Sequence, residues 1–143
     1  MTRNEVRYQR ARVEAALAYL KRSLKLDYEF VLDEGESEDI RLVDIEESNR
    51  GAADPRTFIV RFFPEYLEDE SAASIRRHLF HEICHAMTWD LYREAHAVVE
   101  HVPDKALRTE FEKRLDDSFE RIVYEMERKL GRRCFPNLPW QEP

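Results

Sequence analysis

The chain has 143 residues, 43% hydrophobic and 37% charged, which is enough for one hydrophobic core and too little for two comfortable ones. With 23 basic against 30 acidic side chains the formal net charge is −7, so a protein that grips a phosphate backbone is not expected, and no nucleic-acid partner with it. No run approaches the roughly 20 apolar residues that cross a bilayer, and the charged N-terminus lacks an apolar core of secretory length, so the expectation is no membrane partner and a cytoplasmic location.

Two cysteines, Cys84 and Cys134, fit a reducing compartment and supply no disulfide framework. Only three glycines occur, which points to long regular elements joined by few tight turns.

Residues 4 to 25 place Val6, Val13, Leu17, Leu20 and Leu24 along one face of an amphipathic helix. Three strand-like segments follow. "DYEFVL" sets Tyr28, Phe30 and Leu32 against Glu29 and Val31; "DIRLVDIEE" carries Ile40, Leu42 and Ile45; "RTFIVRFF" carries Phe58, Val60 and Phe62. Gly35, Gly51 and Pro55 punctuate the connections, and the three segments predict a small antiparallel or mixed sheet.

From Ser71, a suitable N-cap, Ile75, Leu79, Ile83 and Met87 recur every four residues and predict a helix running past Leu91. Pro103 interrupts the chain. A last helix carries Leu107, Phe111, Leu115, Phe119, Ile122, Met126 and Leu130 as one apolar stripe, with Gly131 where a C-cap glycine belongs. Residues 1–131 read as one domain and 132–143 as a proline-rich, extended tail clipped to the body by Trp140. Helix, three strands, helix, helix is an α+β order in which helices pack on one face of a small sheet.

Within the helix that begins at Ser71 lies His81-Glu82-Ile83-Cys84-His85, an H-E-x-x-H string. On a helix, positions four apart project to one side, so both imidazoles can reach one ion at about 2.0–2.1 Å. The histidines lie off the Ile75–Leu79–Ile83–Met87 stripe, so the stripe can face a core while they face a cleft. Glu82 falls beside such an ion, where its carboxylate can take a proton from the attacking water and return it to the leaving amine. The same five letters also occur in ordinary helices. Here a periodic helix, a preceding sheet and an acidic helix downstream favour a Zn²⁺ site. His78, one turn before His81, reads as a supporting or surface residue, and Cys84 as a small buried hydrophobe.

Catalytic zinc takes three protein ligands and one open position. Thr88 and Leu91 stand where the compact H-E-x-x-H-x-x-G-x-x-H arrangement needs glycine and histidine, which excludes that class. His96 and His101 keep no required spacing and read as surface residues. The last helix offers Glu112, Asp116 and Glu120 at successive steps of four, and Glu120 is followed by "RIVY", with Val123 extending the apolar surface beside it. Tyr124, one turn after Glu120, either donates to a developing oxyanion or simply packs at the helix boundary.

"HEICHAM" followed by "FERIVYEMERKL" resembles the minimal single-domain zinc metallopeptidases of the gluzincin type carried by phages and prophages. The resemblance covers residues 56 to 130 and rests on H-E-x-x-H and an E-x-x-V pattern on a final helix. It implies a zincin-like fold and peptide-bond hydrolysis. His81, His85 and Glu120 would then be metal ligands, with Glu120 35 residues after His85, and Glu82 the general base. It further implies that the strand at Phe58–Phe62 is an edge strand to which a protein or peptide substrate adds. Asp116 remains a competitor for the third ligand. Cys134 in "RRCFPN" reads as an idle thiol near a chain end, with a latency-holding thiolate as the lesser alternative. The alternative function is a zincin-like module that binds a protein partner without cleaving it.

Overall fold

The computed structural model describes residues 1–35, 40–44 and 56–134. Helix α1 (Arg3–Leu24) begins at a reciprocal capping box. Thr2 Oγ1 accepts from the Glu5 N–H at 3.1 Å while the Thr2 N–H donates to Glu5 Oε2 at 2.7 Å. It stops at Lys25, held in the left-handed region at φ 54° and ψ 46°. The next N–H, on Leu26, bonds back to the Lys21 carbonyl at 3.0 Å, the contact that closes a Schellman motif.

Strands β1 (Tyr28–Glu34), β2 (Arg41–Asp44) and β3 (Arg56–Phe62) form a mixed sheet in the order β1-β3-β2. β1 runs parallel to β3, with Tyr28 opposite Arg56 and Glu34 opposite Phe62, and β2 runs antiparallel to it, with Arg41 opposite Arg61. The strand at Phe58–Phe62 is therefore central and not an edge, which corrects the expectation above. Its burial fits that place: Phe58, Val60 and Phe62 are fully buried and Thr57 and Ile59 half-buried, whereas no residue of β1 is fully buried. The edges of the described sheet are β1 and β2. The expected turn residues Gly51 and Pro55, and Ile45, lie outside the described residues.

After β3 comes a 3₁₀ turn, Pro64–Leu67, absent from the sequence reading. Arg12 of α1 clamps it: its guanidinium donates to the Leu67 carbonyl at 2.7 Å, to the Glu70 carbonyl and to Gln9 Oε1 at 2.9 Å. This turn delivers the chain to helix α2 (Ala72–Val99), whose N-cap Ser71 accepts from the Ser74 N–H at 3.0 Å. Helix α3 (Lys105–Cys134) starts after Pro103, with Asp104 Oδ1 accepting from the Leu107 N–H at 2.9 Å.

The core gathers Val13, Leu17 and Leu20 of α1, the inner row of β3, and Ile75, Leu79 and Ile83 of α2. Glu29, Val31 and Arg61 point to solvent from the opposite face of the sheet, so the helices cover one side only. Phe58 meets Trp89 edge-on, ring centroids 5.5 Å apart, and so fixes the middle of α2 against the sheet. The architecture is α+β.

Two expectations at the C-terminal end need correction. α3 runs through Gly131 to Cys134, so residues 132–134 continue the helix and Gly131 is no cap. Gly131 is buried and no glycine among the described residues has positive φ, so it serves close packing. The remainder of the tail, with Trp140, lies outside the described residues. The apolar stripe of α3 is also only partly covered: Phe119 and Val123 are buried, whereas Leu107 and Ile122 are 42% and 44% exposed.

Arg12 carries charge into a half-buried position and spends it on two carbonyls and an amide oxygen. Arg12→Gln should lower unfolding free energy by about 2 kcal/mol in urea denaturation, the scale of losing charge-assisted hydrogen bonds, with the slope of the transition unchanged.

Candidate functional site

Helices α2 and α3 lie antiparallel, and their facing polar residues pair in descending order: His96 with Asp116, His85 with Glu120, His81 with Glu127. The helix periodicity puts His81 and His85 on one stripe of α2, opposite the stripe made by Ile75, Leu79 and Ile83. Core packing on the sheet side therefore aims both imidazoles at α3.

The imidazole planes are nearly perpendicular, centroids 4.8 Å apart, and the two Nε2 atoms approach to 3.2 Å. Two nitrogens bound at 2.0–2.1 Å to one tetrahedral ion lie about 3.3 Å apart, so the pair already has the spacing of a chelate. His81 Nδ1 sits 2.6 Å from Glu127 Oε2. A carboxylate only accepts, so Nδ1 carries the hydrogen and the neutral ring presents its Nε2 lone pair towards His85. A carboxylate behind a metal-binding histidine fixes its tautomer and raises its basicity in just this way. Glu120 Oε1 is 3.7 Å from His85 Nε2 and its side chain is 67% exposed. Among the described residues no set of three His, Cys, Asp or Glu side chains is already closed around a point. What stands preformed is the histidine pair, with one carboxylate within reach of it.

The other expected residues divide clearly. Asp116 is engaged elsewhere: it accepts from the Tyr92 hydroxyl at 2.5 Å and pairs with His96 Nε2 at 3.0 Å, which holds its carboxyl below the usual range. His96 is thus a half-buried partner of Asp116, not a free surface histidine. His101 is exposed. Glu82 Oε1 lies 3.9 Å from His78 Nε2, with both side chains mostly covered. Tyr124 borders a cavity of about 460 Å³ together with His78, His81 and Glu127. Its hydroxyl is buried and has no hydrogen-bond partner among the described residues, an orphaned donor beside the histidines. A second cavity, about 360 Å³, lies on the other side against His85, Asp116 and Glu120. Cys84 is fully buried, and burial pushes its thiol up to about 12, so it is inert.

Glu127 was missed by sequence reasoning. Glu120, Tyr124 and Glu127 fall at i, i+4 and i+7, one stripe of α3. Set antiparallel against His81 and His85, that stripe offers a carboxylate to each histidine. The spacing was readable; the antiparallel register that gives it meaning was not.

The two histidines are pushed apart electrostatically. The hydrogen bond from His81 to Glu127 raises the His81 pKa above 6.5, while burial and the neighbouring His81 charge lower that of His85. In metal-free protein, ¹⁵N-detected NMR should show His85 neutral at a pH where His81 is still charged. Since the folded His81 value lies above the unfolded one, its stabilising contribution is complete below pH ~6.5 and fades as pH rises through the folded value. Coincident titration of the two rings would contradict the pairing with Glu127.

No protein-family model, no curated protein and no solved structure matches this chain.

Proposed function

We propose that this protein is a zinc-dependent metalloendopeptidase of minimal, zincin-like build, acting on protein or peptide substrates in the cytoplasm. The observation that carries the reading is the 3.2 Å approach of His81 and His85 Nε2, with Glu127 holding the His81 tautomer. His81, His85 and Glu120 would hold the ion. The donor set of two imidazoles and one carboxylate is the kind that suits catalytic zinc and leaves a fourth position open. When bound, zinc supplies Lewis-acid polarisation of the substrate carbonyl and acidifies water towards neutral pH.

The chain's own residues supply the rest. Glu82 follows the first ligand and takes the proton from the attacking water, then returns it to the amine nitrogen as the C–N bond breaks. Tyr124, whose hydroxyl has no partner among the described residues, donates to the carbonyl oxygen as charge gathers there. Glu127 keeps the His81 lone pair directed into the site throughout. Burial of Ile83 and Cys84 between these residues pins the helix, so the geometry is set by the core.

The test is metal content and cleavage together. Wild type should copurify with about one zinc per chain, and His81→Ala should lose it. Glu82→Gln should keep zinc and cleave a denatured protein pool at least ~100-fold more slowly, the scale of a lost general base. Zinc-loaded wild type that cleaves nothing would leave the binding module as the better reading.

Two carboxylates can be ranked on α3. Glu120→Ala should weaken zinc affinity far more than Asp116→Ala, because Asp116 is committed to Tyr92 and His96. Glu127→Gln should weaken it roughly 10- to 100-fold without changing stoichiometry at saturation. Competition with a chromogenic chelator measures all three. Equal losses for Glu120→Ala and Asp116→Ala would reject the assignment.

A further inference from the structure

A separate cavity, about 280 Å³, lies between α1 and α2 and shares no lining residue with the two beside the histidines. Ala15, Ala16 and Ala72 keep it open, and three arginines border it: Arg12 and Arg22 of α1 and Arg76 of α2. No acid among the described residues lines it. In a chain with a net charge of −7, this is a local reversal of sign.

The three cations are not equally engaged. Arg12 spends its N–H groups on the Leu67 and Glu70 carbonyls and on Gln9 Oε1, partners that carry no charge. Its charge remains, but it stands ten residues from Arg22, about 15 Å of helix rise. Arg76 lies over the Tyr19 ring, with its guanidinium carbon 4.6 Å from the ring centroid. Stacking on a ring face leaves the guanidinium edge, where its five N–H groups point, for another partner. Arg22 follows Tyr19 by about one turn, so Arg22 and Arg76 border the same end of the cavity. Among the described residues neither side chain makes a hydrogen bond or ion pair. Acids on neighbouring turns do not neutralise them: Glu14 pairs with Arg10 at 3.4 Å, Glu70 Oε2 accepts from the Ser74 hydroxyl, and Glu68 and Asp69 are exposed.

Two guanidinium edges carried on different helices, with no carboxylate between them, suit a dianion that only accepts. A carboxylate would satisfy one fork. A phosphate offers oxygens to both and carries about two charges near neutral pH. The start of α2 acts in the same sense, since Ala72 lines the cavity and no acid stands in that first turn. The volume falls just below the roughly 300–1,000 Å³ of sites for drug-sized ligands, so it fits a single headgroup and not an extended ligand.

We propose that this cavity binds one phosphate dianion, gripped by Arg76 and Arg22, either as free phosphate or as the headgroup of a small phosphomonoester. The bound anion would join α1 to the start of α2, and its binding requires neither metal nor turnover.

The full chain as purified is titrated by calorimetry near neutral pH, at constant ionic strength, with inorganic phosphate, phenyl phosphate and acetate. One phosphate species should bind at one per chain, at least tenfold tighter than acetate, and the tighter of the two names the source. Arg76→Gln and Arg22→Gln should each weaken that binding at least tenfold. Arg114→Gln, which removes the same charge from an exposed position of α3, should leave it unchanged. At saturation the backbone N–H signals of Ala72 and Arg76 should shift in NMR spectra while those of His81 and His85 stay in place. Arg22 is exposed, so its replacement leaves the core intact, and the comparison of phosphate with acetate needs no variant at all. Absence of saturable phosphate binding, or acetate binding as tightly, overturns the proposal. Full affinity in both Arg76→Gln and Arg22→Gln overturns it too, as do shifts confined to His81 and His85, which would put the phosphate at the candidate metal site.

Discussion

The bond between His81 Nδ1 and Glu127 decides more of this site than any other contact. It joins the middle of α2 to the last third of α3, across 46 residues of sequence. It selects the His81 tautomer and favours charge on that ring, and this charge adds to burial, the larger cause, in lowering the His85 pKa. A histidine pair without such a carboxylate could share one proton between its facing nitrogens in either direction. With it, the facing lone pair belongs to His81 whenever that ring is neutral.

That contact depends on α2 serving two surfaces at once. Ile75, Leu79 and Ile83 bind the helix to β3 and α1, while His81 and His85 look the other way. The central position of β3 matters here. Phe58 reaches Trp89 from the middle of the sheet, so this ring contact ties α2 to the strand that is paired on both sides. The Arg12 clamp on the turn before α2 fixes where the helix begins. Register along α2 is thereby set at both its start and its middle, and the histidines have little freedom to drift.

The helices and the inner faces of β1 and β3 were legible in the sequence because periodicities of 3.6 and 2 reflect burial directly. The capping of α2 by Ser71 was legible for the same local reason. Strand order was not. Alternation in "RTFIVRFF" says which side chains point inward but nothing about which neighbours flank the strand. Gly131 misled because a glycine near a helix end usually caps it, whereas here burial makes an absent side chain useful inside the helix. In the candidate site, the approach of His81 and His85 was readable from their spacing on a single helix. The fate of Asp116 was not, since Tyr92 and His96 capture it only through the packing of α2 on α3.

The docking of α3 explains why the polar pairs run in sequence along the helix interface. A 30-residue helix buries Phe119 and Val123 and leaves Leu107 and Ile122 substantially in water. So thin an apolar seam tolerates sliding, because one hydrophobic contact exchanges readily for another. Hydrogen bonds do not exchange so freely: His96 with Asp116, and His81 with Glu127, are satisfied together in one register and one rotation. Those polar contacts act as a gauge for the position of α3, which in turn sets how far Glu120 stands from His85. On the proposed reading the ligands come from both helices, so metal affinity and the docking of α3 are one linked equilibrium. On that reading the helix pair by itself sets the metal geometry, using the polar residues that also specify the fold.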